Sequence, residues 1–546
     1  MIRLPRHTPG PVPRAVRPFA AAALALTAGL AGAAAPARAI TTEALLDTLQ
    51  RSAFQYFWSE ANPANGLIKD RSASGSPASI AAMGFGLTVI HVGVERGWVS
   101  RPVAANRVLT MLRTLFRQPQ STAASGAIGY QGWFYHFLDM NTATRAGDTE
   151  LSSIDTALLM AGVLDAGAFF DAPDALEDSV RWYADTLYRR VNWNFMRNFN
   201  PGILMGWKPG TGFAGFGEWV GYNEAMILYL LAFGSPTKPI TLSAIPNAWA
   251  RWTGGYDWET HYGQSYVRFA PLFGHQYSHC WVDFRNIRDA YMLGKDLDYF
   301  ENSRRATLAQ RAYSIANPGG WVGYGDSLWG ITASDDPFGY SARGAPPAEN
   351  DNGTIAPTAA LSSIPFAPEA CLPVAHFLWD HHRPALWGPY GFRDAFNLTL
   401  GWWGPDVIGI DQGPIAIMIE NYRTGSVWRR FMQIPYVQTG LERAGFVPYA
   451  LSAPPAGPLA PRLAAWTAPN PFRASATVRF LLPAAGPVRV EAFDVAGRRV
   501  ATLAEGPFAA GAHALELPGA GLAPGVYLVR VAGAGQTATV RCVRLE

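Results

Sequence analysis

From about residue 41 to 450 the apolar residues recur at helical spacing, stretch after stretch, with no strand-like alternation between them. Thr41-Thr42-Glu43 leads into Leu45, Leu46, Leu49, Phe54, Tyr56 and Phe57, an apolar face at helical intervals behind a capping signal. Comparable stretches lie near 78–96, 101–117, 150–170, 174–194, 218–233, 277–293, 298–316, 368–382, 411–423 and 426–443. Ile80 to Val94 and Leu151 to Phe170 are apolar nearly all round, which is the pattern of a helix covered on two sides. About eleven helices in one unit of roughly 400 residues predict an α/α arrangement rather than a βα one. The loops between them, 119–149, 194–217, 254–276, 318–356 and 384–410, are long enough to be functional.

Two segments flank this unit, residues 40–450. Residues 1–39 have the form of a secretory signal. Arg3, Arg6, Arg14 and Arg17 precede an apolar run from Phe19 to about Ala35, and Ala37-Arg38-Ala39 supplies the cleavage site. The mature chain is expected to begin near Ile40, exported to the periplasm, the cell surface or the medium. At the other end a Pro/Ala-rich linker, 451–465, precedes a region, 466–546, where the period changes to alternation. Thr477-Val-Arg-Phe-Leu, Val488-Arg-Val-Glu-Ala-Phe, His513-Ala-Leu-Glu-Leu and Val526-Tyr-Leu-Val-Arg-Val read as short strands of a small β-sandwich. Pro469-Asn470-Pro471-Phe472, Phe493-Asp494-Val495-Ala496-Gly497-Arg498 and Pro524-Gly525-Val526-Tyr527 resemble the immunoglobulin-like hook-capping and secretion-sorting domains of exported bacterial enzymes. That resemblance implies an accessory module that meets cell-surface or secretion machinery.

Composition narrows the function. The 44 basic and 41 acidic residues are interspersed, with no Lys/Arg run, so nucleic acid is not an expected partner. Nineteen Trp and 21 Tyr exceed the needs of a core and suit stacking on sugar rings. Cys280, Cys371 and Cys542 are too few and too scattered for a disulfide framework or a metal knuckle.

Four stretches combine acids with aromatics and glycine. In Asp148-Thr149-Glu150-Leu-Ser-Ser-Ile-Asp155 the acids sit at a helix start, where capping alone explains them, although Asp155 has buried neighbours. Glu224 follows Gly221-Tyr222-Asn223 and begins an apolar helix; partial desolvation there would raise its pKa toward that of a general acid. His275, Gln276, Tyr277, His279, Asp283 and Arg285 form the third stretch. If helical, His275, His279 and Asp283 share one face, a spacing that suits a metal, but no further ligand cluster appears. Hydrogen bonds to sugar hydroxyls or between helices account for them without a metal or cofactor. The fourth, Trp402-Trp403-Gly404-Pro405-Asp406 through Asp411-Gln412-Gly413-Pro414, sets a sugar platform beside a base, with capping again the alternative for Asp411. Trp133 in the 119–149 loop and Asp335 in the 318–356 loop complete the candidate sugar contacts.

Taken together, Ser152-Ser153-Ile154-Asp155-Thr156-Ala157, Asn223-Glu224, Gly274-His275-Gln276-Tyr277-Ser278-His279, Ile331-Thr332-Ala333-Ser334-Asp335 and Gly409-Ile410-Asp411-Gln412-Gly413-Pro414-Ile415 resemble the bacterial glucoamylase-like domain. That family includes the endo-β-1,2-glucanases of glycoside hydrolase family 144. The resemblance implies an (α/α)6 toroid and endo-acting, inverting hydrolysis of β-1,2-glucan in its central cleft. Glu224 becomes the general acid and Asp411 the general base, with Asp155 and Glu150 in reserve. Hydrolysis, phosphorolysis or transglycosylation of another β-glucan, and glycan binding without catalysis, are the competing readings.

Overall fold

A capping side chain opens six of the fifteen helices that build the larger unit of the molecule. The computed structural model describes residues 40–448, 463–468, 472–482, 484–533 and 535–545. The expected leader (1–39), residues 451–462 of the linker and Pro469-Asn470-Pro471 lie outside them. Two compact units divide between Tyr449 and Ala450.

The helices of the first unit are α1 (Thr42–Ser59), α2 (Ile80–Glu95), α3 (Arg101–Arg117), α4 (Ser153–Phe169), α5 (Ala175–Arg190), α6 (Met226–Gly234), α7 (Ile245–Thr253) and α8 (Ala290–Leu293). They continue as α9 (Tyr299–Ala316), α10 (Pro357–Leu361), α11 (Pro368–Phe377), α12 (Arg383–Leu386), α13 (Gly409–Arg423), α14 (Ser426–Phe431) and α15 (Pro435–Arg443). The Thr41, Ser79, Ser152, Asp174, Asp289 and Asp298 side chains accept from main-chain N–H groups of the first turns of α1, α2, α4, α5, α8 and α9.

Six inner segments close a ring. α13 packs on α2, α2 on α4, and α4 on α6. Ser278 Oγ joins the next segment to α6 by accepting from Ile227 N–H at 3.0 Å, and Gln276 joins it to α10 by donating to Ala359 O at 2.8 Å. α10 packs on α13 and completes the circle. α2 and α4 are buried almost throughout, as their all-round apolarity predicts. They approach so closely that a Cβ on Gly84 would stand 2.3 Å from Leu158 O, and one on Gly162 2.0 Å from Gly84 O. Helices α1, α3, α5 and α11 cover the outside of this ring. This is the expected (α/α)6 architecture.

Three details depart from the sequence reading. Residues 277–293 are not one helix: two 3-10 turns, Leu272–His275 and Ser278–Cys280, form the fourth inner segment, and only Ala290–Leu293 is helical beyond them. α6 begins at Met226, so Glu224 stands just ahead of it rather than inside it. α10, with five residues, is too short for periodicity to reveal, yet it is an inner-ring member.

The second unit holds two antiparallel sheets. One runs Ala464–Ala468, Ser475–Leu482, Gly511–Pro518; the other runs Arg499–Phe508, Gly486–Asp494, Gly525–Gly533, Gln536–Arg544. Val478, Phe480, Val490, Ala492, Val529 and Val531 from both sheets fill one core. Strands 464–468, 499–508 and 536–544 escaped the sequence reading because their alternation carries small and polar residues.

Candidate active site

In an α/α ring the inner helices run the same way, so their N-terminal turns gather at one end. Asp155 sits in the first turn of α4, Asp411 in the first turn of α13, and Glu224 just before α6. The loop before α2 is tied to the same place. Gly409 N–H donates to Asp70 O at 2.8 Å and Ser72 N–H to Val407 O at 2.9 Å, which brings Asp70 and Arg71 to the start of α13.

Around that end the carboxyls fall into two groups. The first is matched by cations. Arg71 contacts Asp335 at 2.8 Å, Asp70 at 3.2 Å and Asp406 at 3.9 Å. His136 contacts Glu150 at 2.9 Å and Asp155 at 3.7 Å. Burial disfavours the charged imidazole, but the Asp155, Glu150 and Asp70 carboxylates outweigh it and hold the His136 pKa at about 9. The hydrogen bond from His136 in turn lowers the pKa of Glu150. Ser152 Oγ–H donates a short bond to Asp155.

The second group has no cation of its own. Glu224 Oε2 is buried without a hydrogen-bond partner, and burial, reinforced by the charge of Asp155, lifts its pKa to about 7. Asp394 and Asp411 are 2% and 6% exposed and lie against each other. Burial raises both pKa values, that of Asp411 further because the Asp394 charge adds to it. Tyr277 and Tyr340 complete the wall. The Tyr277 hydroxyl donates to Ile410 O at 3.1 Å and lies in the field of both Asp411 and Glu224. Tyr340 stands on a hairpin, Ser334–Asp336 with Gly339–Ser341; 48% of its surface is exposed, while its hydroxyl end lies among Asp411, Asp394, Asp70 and Asp335. An exposed ring face beside buried acids suits a sugar.

Of the residues singled out in sequence, Glu224, Asp411, Asp155, Glu150, Asp335 and Tyr277 converge here. Others do not. Trp133 is fully buried, its Nε1–H donating to Asn192 O at 2.8 Å against the ring of Trp193, so it is a core residue. Tyr222 is 4% exposed among Trp252, Tyr256, His275 and Tyr299. His275 and His279 are enclosed, burial holds both neutral by lowering their pKa values (His275 to about 3), and their ring nitrogens contact Phe269 O and Ser303 Oγ. Gln276 binds α10, as above. Gln276 and His279 stitch the non-helical inner segment to α10 and to Ser303 of α9. Asp283 and Arg285 pair with each other, and Arg285 lies over Trp428 of α14. α14 follows the C-terminal end of α13, about 18 Å along that helix from Asp411 by the rise from 411 to 423. Trp403 stacks flat on Phe396 at 5.0 Å, and Trp402 lies on the other face of the same two-residue strand, half-buried.

Sequence reasoning missed Asp70, Arg71, His136, Tyr340 and Asp394. Each comes from a loop; the 119–149, 318–356 and 384–410 loops carried a hint through their length, and the one that holds Asp70 and Arg71 carried none. Among the described residues no three His, Cys, Asp or Glu side chains are arranged to hold a metal ion.

The Glycoamylase family model, described as "Putative glucoamylase", matches residues 217–435. The exo beta-1,2-glucooligosaccharide sophorohydrolase (non-reducing end) of Parabacteroides distasonis is 33% identical over 433 residues, 74% of this chain and 58% of that protein. The chain thus spans less than two thirds of that relative's length. A crystal structure from Bacteroides uniformis that carries the glucoamylase description is 38% identical, with a TM-score of 0.70 over 76% of this chain and 99% of that one. The endo-beta-1,2-glucanase from Chitinophaga pinensis, solved with sophorotriose and glucose, is 30% identical, with a TM-score of 0.69 over 75% of this chain and 99% of that one.

Proposed function

This chain belongs to the glucoamylase-like family, together with the β-1,2-glucan hydrolases of the family 144 type, and from that premise we propose that it hydrolyses β-1,2-linked glucan with inversion. Glu224 is the general acid and Asp411 belongs to the general base. One observation carries the reading: Glu224 is a buried carboxyl with an unpartnered oxygen and a pKa of about 7, facing the same tyrosine as Asp411. A carboxyl so placed still holds its proton in about half of the molecules at pH 7, and can give it to a departing sugar oxygen. Inversion needs a second carboxyl set back far enough to leave room for water, about 6.5–9.5 Å from the first.

The electrostatics favour water over phosphate as the nucleophile. Asp70, Glu150, Asp155, Glu224, Asp335, Asp394, Asp406 and Asp411 crowd the cleft end, and the cations among them, Arg71 and His136, are already held by carboxylates. A phosphate dianion would enter against that field. A protein that only bound glycan would gain nothing from buried, unpaired carboxyls, which cost stability.

Cutting within the chain is the mode we favour, since this chain spans 99% of the Chitinophaga endo-glucanase but only 58% of the Parabacteroides exo-enzyme. Export through the leader at 1–39, with Ile40 at the mature N-terminus and the C-terminal sheets as an accessory module, fits an enzyme that meets its polymer outside the cytoplasm. N-terminal sequencing of the secreted protein tests that part.

The activity is tested by reducing-end release from linear β-1,2-glucan, with β-1,3-, β-1,4- and α-1,4-glucans in parallel. The expected result is a spread of short oligosaccharides from the β-1,2-polymer alone, lost in Glu224→Gln. Sophorose as the first and sole product would replace the endo mode by an exo one. Activity on another linkage alone would overturn the substrate.

A further inference from the structure

Asp394 is the carboxyl that a single-acid, single-base account leaves without a task. Its position is tightly set. Its N–H donates to Asp406 O at 2.9 Å, and its Oδ2 accepts from Asp335 N–H at 2.6 Å. Its remaining oxygen, Oδ1, and Oδ2 of Asp411 are both buried with no donor in reach. The two carboxyls lie against one another. Two buried carboxylates side by side repel, and a proton held on one of them relieves that repulsion. The charged and titratable groups packed around the pair are Asp335 and Tyr340 from the hairpin, Asp70 and Arg71 from the loop before α2, and Tyr277 from the inner wall. Arg71, the cation of this set, is engaged by Asp70 and Asp335. Nothing there neutralises a second charge on the pair.

We propose that Asp394 and Asp411 hold one proton between them in the resting enzyme, and that Asp394 is a positioning residue which takes up the proton of Asp411 when Asp411 takes one from water. The inference rests on the hydrolytic reading above. In the reaction the anomeric C–O bond breaks as Glu224 passes its proton to the departing oxygen. The water oxygen bonds to the anomeric carbon, its proton moves to Asp411, and the proton already shared crosses to Asp394 Oδ1. The pair finishes with two protons and Glu224 with none. Transfer of one proton from the pair to Glu224 through solvent restores the start. The Asp335 N–H keeps Asp394 oriented throughout.

The test is carbon-13 NMR titration of aspartate carboxyls in the full-length protein, with Asp411→Asn and Asp394→Asn to assign the signals. Expected in the wild type are two separated steps belonging to the pair. In Asp394→Asn they collapse to one step of Asp411 at an intermediate pH. On β-1,2-glucan the same variant loses about 100-fold or more in kcat with little change in KM, and its acid limb moves to higher pH. Asp394→Glu recovers part of the rate. An unsplit titration in the wild type overturns the proposal, and so does an Asp394→Asn enzyme with unchanged kcat and pH profile. If that variant does not fold, the wild-type titration decides alone. A split titration in a protein that cleaves no glucan keeps the pair and removes the hydrolytic reading; cleavage with an unsplit titration does the reverse.

Discussion

The two ends of the helical ring use the same residue types to opposite effect. α4 carries Asp155 in its first turn and Asp165 near its last; α13 carries Asp411 in its first turn and Glu420 near its last. At the far end each acid is matched. Asp165, fully buried, meets Arg430 at 2.7 Å, His91 at 2.9 Å and Thr88 Oγ at 2.9 Å. Glu420 meets Arg96 at 2.6 Å, Gln50 at 3.0 Å and Thr424 Oγ at 2.6 Å. Burial penalises both charges, but the partners outweigh it and both pKa values fall. At the cleft end Glu224, Asp394 and Asp411 are buried without a cation and their pKa values rise. Burial alone therefore does not set the direction of the shift in these five acids; the presence of a cationic partner does.

The sharpest way to break this contrast is to neutralise one acid at each end. Glu224→Gln removes an acid with an unpartnered oxygen. It should cost kcat about 100-fold or more while leaving thermal unfolding unchanged or slightly raised, measured on β-1,2-glucan and by calorimetry. Asp165→Asn should do the opposite. It strands Arg430 beside a buried site and should cost about 3–5 kcal/mol in denaturant unfolding, with near-normal kcat in whatever remains folded. If the two variants behaved alike, the division of the ring into a structural and a chemical end would fail.

A pH series refines it. Glu224 must be protonated to act, so kcat/KM should fall as pH rises through about 7. A profile flat to pH 9 would remove Glu224 from the acid's role. His136 behaves differently because it is paired. Its folded pKa of about 9 lies above the ordinary histidine value, so its contribution to stability is complete below about 6.5 and disappears as pH rises toward 9. Unfolding midpoints of wild type and His136→Gln should converge across that window; a constant gap between them would mean that the ion cluster is not what His136 contributes.

The smallest effect is expected at the cleft wall. Tyr340→Phe should change turnover only a few-fold, whereas Tyr340→Ala, which removes the exposed ring face, should raise KM about tenfold if one stacked sugar is lost. Equal KM values in the two variants would take Tyr340 out of substrate contact.

How much of this was written in the chain differs from residue to residue. Glu224 and Asp411 were legible because each sits in a local pattern, Gly221-Tyr222-Asn223 before one and Gln412-Gly413-Pro414 after the other, that marks a helix start with an acid beside it. The same local logic misled at His275, His279 and Asp283, where helical spacing suggested a shared face and the chain instead makes 3-10 turns in which both histidines bond inward. Trp133 shows the limit of composition: an indole suits a sugar or a core equally, and only its neighbours decide. Asp394, Asp70, His136 and Tyr340 had no local signature at all.

The sequence by itself determined the class of fold, since helices apolar on all sides can be satisfied only inside a second layer of helices, and it determined the two-part plan through the change of period after residue 450. Which carboxyls end up buried without a cation was decided by tertiary structure alone. A carboxyl's proton affinity is set by burial and by the charges within a few ångströms of it, and here those charges come from separate segments, Asp155 for Glu224 and Asp394, Asp335 and Asp70 for Asp411.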